Sequence, residues 1–167
     1  MAHLISTDNL GAWLIKCNPE SNPGLLEQID RPGSRVTTWC VADNYRSAMM
    51  RPGDRAILWI SGNGRRVARG IWGVGRVSGS LEHRRVDVRS EAGGAIVLSI
   101  PLDIPLLPRG GEVSSDELVV AGVTDLEVQV TPAMSNPSWV TKEQLARMEA
   151  LLETAPRSSG TGRSTSG

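Results

Sequence analysis

The chain contains no phenylalanine and only two cysteines, two histidines and two lysines among its 167 residues. Cys17 and Cys40 are too few for a disulfide framework or a zinc site, and they suit a reducing compartment. His3 and His83 show no ligand spacing, which argues against a zinc enzyme or a histidine-dependent triad. No apolar run approaches the roughly 20 residues that a membrane helix needs. The first residues lack a basic start followed by an apolar stretch. These absences predict a soluble, cytoplasmic protein with no membrane partner, no metal and no cofactor. The lack of phenylalanine also leaves five tryptophans and Tyr45 as all of its aromatic rings.

Net charge is zero, but its distribution is uneven. Between residues 31 and 89, twelve arginines stand against Asp43, Asp54, Glu82 and Asp87, a net of +8. Between residues 91 and 153, ten acids stand against Arg109, Lys142 and Arg147, a net of −7. Such asymmetry marks a candidate nucleic-acid face. The plainer alternative is that folding interleaves the two halves and neutralises them.

A chain of this length can bury a core as one domain without metal or disulfides. Residues 12–16 (AWLIK), 36–41 (VTTWCV), 55–61 (RAILWIS) and 70–78 (GIWGVGRVS) are apolar, β-branched or aromatic, and predict strands. In 55–61 both alternating faces are apolar, which predicts a central strand. Gly70, Gly73 and Gly75 within 70–78 predict a bulge or the close approach of another backbone. Residues 95–107 predict a long strand that lies at an edge or bends, because Pro101, Pro105 and Pro108 limit its pairing. Residues 118–123 and 126–131 predict further strands. Short helices are predicted after Asn22-Pro23 and after Asp43 or Asn44. A final helix should begin at the capping box Thr141-Lys142-Glu143-Gln144, with Val140 and Leu145 forming a hydrophobic staple, and end before Pro156.

Three segments in order, AWLIKCNPE at 12–20, TTWCVADNYRSAMMRPGDRAILWISG at 37–62 and GIWGVGRV at 70–77, carry a resemblance. Together with the closing SWVTKEQLARMEALL, they resemble the EVE domain, a PUA-like family related to YTH domains. The match spans about residues 12–155. One departure is that the family's V-R-N becomes Val41-Ala42-Asp43-Asn44, with an acid in the basic position. The resemblance implies an α+β fold: a PUA-like β-barrel of about six or seven strands, short helices over its openings and a C-terminal helix. Residues 1–11 would be an N-terminal extension, and 156–167 a disordered tail of Ser, Gly and Thr. It also implies binding of DNA or RNA, with a flipped, single-stranded or modified base held in an aromatic pocket.

The residues offer such a pocket. Trp39 and Trp59 lie near strand ends, where pocket mouths form, and stacking on an aromatic ring contributes roughly 1–3 kcal/mol per base. Ser61 shares the Trp59 face. Asn44 has both a donor and an acceptor for a base edge, Lys16 and Asn18 close the first strand, and Tyr45 can stack or hydrogen-bond. Arg65, Arg66 and Arg69 are candidate phosphate contacts, and Asn136, Ser138 and Trp139 weaker candidates at the mouth. Trp13 and Trp72 suit packing. The bland alternative is that Trp39 and Trp59 are both core residues. Catalysis is not expected. The rival functions are an amidohydrolase like the related ASCH proteins, using Lys16, Glu20 and Thr37 or Thr38 on a modified nucleoside, and a non-catalytic interaction adaptor.

Overall fold

The computed structural model describes residues 4–86 and 95–154. Within them are β1 (Leu10–Cys17), α1 (Gly24–Asp30), β2 (Arg35–Cys40), α2 (Tyr45–Met49), β3 (Arg55–Ile60), β4 (Gly70–Val77) and β5 (Glu82–Val86). There follow β6 (Ala95–Pro105), β7 (Val113–Ser114), α3 (Ser115–Val120), α4 (Glu127–Val130), β8 (Ser138–Thr141) and α5 (Lys142–Thr154). No described helix is long and apolar enough to cross a membrane.

The apolar strand 55–60 is central, as its two-faced pattern requires. β3 pairs in parallel with β1 and antiparallel with β4. Its alternation divides the core in two. Ala56, Leu58 and Ile60 pack with Trp13, Ile15, Trp72 and Ile100, while Ile57 and Trp59 pack with Leu14, Leu118, Leu126 and Met148. Each large apolar side chain so buried contributes roughly 1.5–3 kcal/mol. The buried indoles also place their polar ends: Trp13 Nε1 donates to Asp54 Oδ2 at 2.9 Å, and Trp72 Nε1 to the Ala68 carbonyl at 2.8 Å.

The sheet runs β2-β6-β4-β3-β1-β8, with β5 also on β6 and β7 on β4. The fold is α+β, and among the described residues the sheet is mixed and eight-stranded with ladders that do not close, so they do not show the expected barrel of six or seven strands. β6 is not an edge strand either: β2 pairs along one side, and β5 and then β4 along the other. The ladder with β2 is irregular between Val36 and Thr38, beside Pro101, while Pro105 stays paired opposite Arg35. The strand glycines mark close approach. A Cβ on Gly75 would run into the Asp103 carbonyl, and one on Gly73 would sit 2.7 Å from Ile104 Cγ2.

The segments expected to be strands at 118–123 and 126–131 are instead the end of α3 with its following turn, and α4. Ser114 caps α3: its hydroxyl accepts from Glu117 N at 3.1 Å, and the Glu117 carboxylate accepts from Ser114 N at 2.7 Å. That exchange starts a helix that the valine content alone would disfavour. The expected box at α5 forms in full: Thr141 N donates to Gln144 Oε1 at 2.9 Å, and Gln144 N to Thr141 Oγ1 at 3.1 Å. Val140 and Leu145 are buried in one core beside it. Pro156 and the 156–167 tail lie outside the described residues.

Candidate nucleic-acid interface

β2 runs beside β6, placing Thr38, Trp39 and Cys40 opposite Pro101, Ile100 and Ser99. β5 pairs farther along β6, with Arg84 opposite Val97 and Arg85 opposite Ile96. Between these strands lies a cavity of about 650 Å³ lined by Asn22, Thr38, Trp39, Cys40, Arg84, Arg85, Val97 and Ser99. Trp39 is half-buried there, one side packed on the first core. Both arginines are exposed, and neither has an ion pair among the described residues. Arg84 Nη1 donates to Thr38 Oγ1 at 3.4 Å. A ring with an accessible side, beside two cations, matches what a nucleotide presents: a π-face and a phosphate.

A second cavity, about 470 Å³, is lined by Lys16, Trp59, Ser61, Gly62, Arg69, Ser115, Val119, Thr124, Val128, Gln129 and Pro132. Trp59 is only 4% exposed and belongs to the second core. The Lys16 ammonium donates to the Pro132 carbonyl at 2.9 Å and also to that of Met134. Burial lowers its pKa from the ordinary value; Glu127 opposes that shift and Arg46 adds to it. The Ser61 hydroxyl donates to the Cys17 carbonyl at 3.3 Å.

The structure therefore does not bring Trp39 and Trp59 to one pocket. They pack on different cores and line different cavities. The reason is the alternation of β3, which turns Trp59 to the face away from Leu58 and Ile60. Lys16 and Ser61 go with Trp59, as does Arg69, while Arg65 and Arg66 are exposed on the preceding loop. Asn44 is occupied as the cap of α2, its Oδ1 accepting from Arg46 N and Ser47 N. Tyr45 is half exposed on the first turn of that helix. Asn18 braces a turn, its Oδ1 accepting from Glu20 N at 3.0 Å. Trp139 is buried opposite Trp13. Ser138 is buried and donates to Glu127 Oε1 at 2.8 Å. Asn136 clamps the Lys16 backbone, accepting from its N–H at 2.8 Å and donating to its carbonyl at 2.9 Å.

No protein-family model matches the sequence, and no curated protein does. Solved structures do match. An NMR structure of Rpa0253 from Rhodopseudomonas palustris aligns over 87% of this chain and 93% of its own, at 18% identity and a TM-score of 0.53. A crystal structure of human THYN1 in complex with 5-methylcytosine-containing DNA aligns over 87% of this chain and 99% of its own, at 17% identity and a TM-score of 0.56. The chain shares the fold of human THYN1. At these identities the likeness establishes the fold, and the sites rest on this chain's own residues.

The structure brings in residues that the sequence pattern did not single out. Arg84 and Arg85 stood within the basic stretch but lacked a motif. Ser115, Val119, Thr124, Val128 and Gln129 wall the Trp59 cavity from α3, α4 and their link. The signal that could have found that wall was the Ser114-x-x-Glu117 capping pattern, which predicts a helix there. Arg46 and Glu127 were also missed, because nothing local announces a partner 81 positions away.

Proposed function

We propose that the chain is a nucleic-acid-binding module of the EVE and PUA-like kind, which takes an unstacked base, a modified one in particular, against Trp39. The observation that carries this reading is the half-buried Trp39 ring in a cavity with Arg84 and Arg85, both without ion pairs among the described residues. A ring that keeps an accessible side can stack a base, and unpaired guanidinium groups can receive its phosphates. The THYN1 complex with methylated DNA favours DNA over RNA and a modified cytosine over an ordinary one.

Binding of fluorescent single- and double-stranded oligonucleotides, with and without 5-methylcytosine, tests this. Trp39→Ala should weaken binding by roughly 1–3 kcal/mol, the value of one stacked base. If Trp39→Ala and Arg84→Ala both bound every oligonucleotide as the parent protein does, the reading would be wrong. The amidohydrolase alternative needs Lys16, Glu20 and a threonine at one reacting atom. Lys16 and Thr38 line different cavities, which counts against it.

A further inference from the structure

The Trp59 cavity is not needed by a base held at Trp39, yet its lining is chemically consistent. Among the described residues its ionisable lining residues are both cations, Lys16 and Arg69, and no carboxylate lines it. Three nearby acids are engaged elsewhere, while Asp116, next to Ser115, is exposed and does not line the cavity. Glu127 is held by Arg46 and Ser138, Asp125 by Arg147, and the Glu117 carboxylate by the Ser114 N–H. Arg69 has no ion pair among the described residues. The Lys16 ammonium is fixed by two backbone carbonyls and partly withdrawn from water, so an arriving anion meets a positioned charge.

The remaining walls suit an organic body rather than a bare ion. Trp59, Val119, Val128 and Pro132 supply apolar surface, and Ser61, Ser115 and Thr124 supply hydroxyls. The Gln129 amide is oriented by two bonds, its Oε1 accepting from Leu126 N and its Nε2 donating to the Val123 carbonyl. The hydroxyls and the amide's remaining N–H and lone pair supply polar recognition. The volume lies within the span of small-molecule sites, about 300–1,000 Å³.

We propose that the Trp59 cavity is a second ligand site, separate from the Trp39 groove, that takes a nucleoside monophosphate group with its phosphate at Lys16 and Arg69. The same group occurs as a free mononucleotide and as the phosphorylated 5′ end of a strand. Calorimetric titration of the full chain with each nucleoside monophosphate, the matching nucleosides and inorganic phosphate tests the site. Mononucleotides should bind more tightly than nucleosides or phosphate. Arg69→Ala should weaken them roughly tenfold or more, the usual loss for a charge-assisted hydrogen bond. Thr124→Glu, an exposed position at the wall, should abolish binding by placing a carboxylate in the cavity while leaving the thermal midpoint near that of the parent.

In Trp39→Ala the mononucleotide site that depends on Arg69 should remain; loss of that Arg69-dependent site would overturn the proposal. So would nucleosides binding as tightly as nucleotides, an Arg69→Ala variant that binds normally, or no binding by any mononucleotide. Competition then distinguishes the source. Displacement by a 5′-phosphorylated oligonucleotide but not by its 5′-hydroxyl form identifies a strand end, and displacement by neither identifies the free nucleotide. Equal displacement by both would overturn a site that depends on the phosphate.

Discussion

Arg46 and Glu127 meet in a two-pronged ion pair, Nη1 to Oε1 at 2.6 Å and Nη2 to Oε2 at 2.8 Å. Their side chains retain 9% and 19% of their exposure. The pair fastens α2 to α4, and Ser138 and the Pro137 carbonyl complete its shell. Because α4 carries Val128 and Gln129, this pair also fixes one wall of the Trp59 cavity. It links the basic and acidic halves of the sequence directly.

Removing one partner of such a pair leaves the other charge buried. Arg46→Met should destabilise the fold by roughly 3 kcal/mol, at the low end of the range for breaking buried pairs because Glu127 keeps some water contact. A double variant, Arg46→Met with Glu127→Leu, should recover part of that loss. Urea unfolding of the three proteins at neutral pH measures both effects.

Burial works to raise the Glu127 carboxyl, but the hydrogen bonds from Arg46 and Ser138 overcome it and hold the pKa below its ordinary value. A carboxyl depressed in the folded state contributes stability above the unfolded-state pKa, and that contribution is lost as pH falls through the folded-state value. The stability gap between the parent and Glu127→Gln should therefore be widest near neutrality and close on acidification. Denaturant midpoints across that range should show it; a gap that widened in acid would contradict it.

Arg84 and Arg85 should act through phosphates. Replacing either by alanine should flatten the log–log salt dependence of binding by about 0.9 on duplex DNA, or about 0.7 on a single strand. Arg35 is the control, since it is already paired with Asp103 across the neighbouring strands. Arg35→Ala should change the slope less. Binding titrations at several salt concentrations give the comparison.

The two thiols make a built-in reporter. Cys40 is exposed and lines the Trp39 cavity, whereas Cys17 is buried and its burial pushes the thiol pKa well up. Thiol labelling of the native protein should therefore modify Cys40 first by a wide margin. A bound oligonucleotide should slow that labelling, and Trp39→Ala should remove the protection. Mass spectrometry of the labelled protein identifies the site.

Much of the fold was legible where one local rule dominated. The two-faced run at 55–61 announced a central strand, Asp43 or Asn44 a helix cap that proves to be Asn44, and Thr141 with Gln144 the closing helix. The misread region was 118–131. There Leu126, Val128 and Val130 alternate like a strand, yet Val128 is buried on a short helix that the buried Leu126 precedes as its cap residue. The candidate site was legible as a set of residue types and not as an arrangement. Trp39 and Trp59 were identifiable as scarce rings near strand ends, but their separation depends on which core each strand face meets. That is set by sheet order, which no short window of sequence contains.

Asn136 carries a consequence of another kind. Beyond Leu14, β8 has no further residue opposite β1, and Lys16 would present its N–H and carbonyl to any passing strand. The Asn136 side chain meets both groups, and its own carbonyl accepts from Ala42 N at 2.8 Å. A side-chain amide thus imitates one residue of backbone and stoppers the open margin of the sheet. Replacing it with leucine would leave the shape of the loop plausible but uncork a sticky rim, so self-association of this chain is guarded at that point by a single amide.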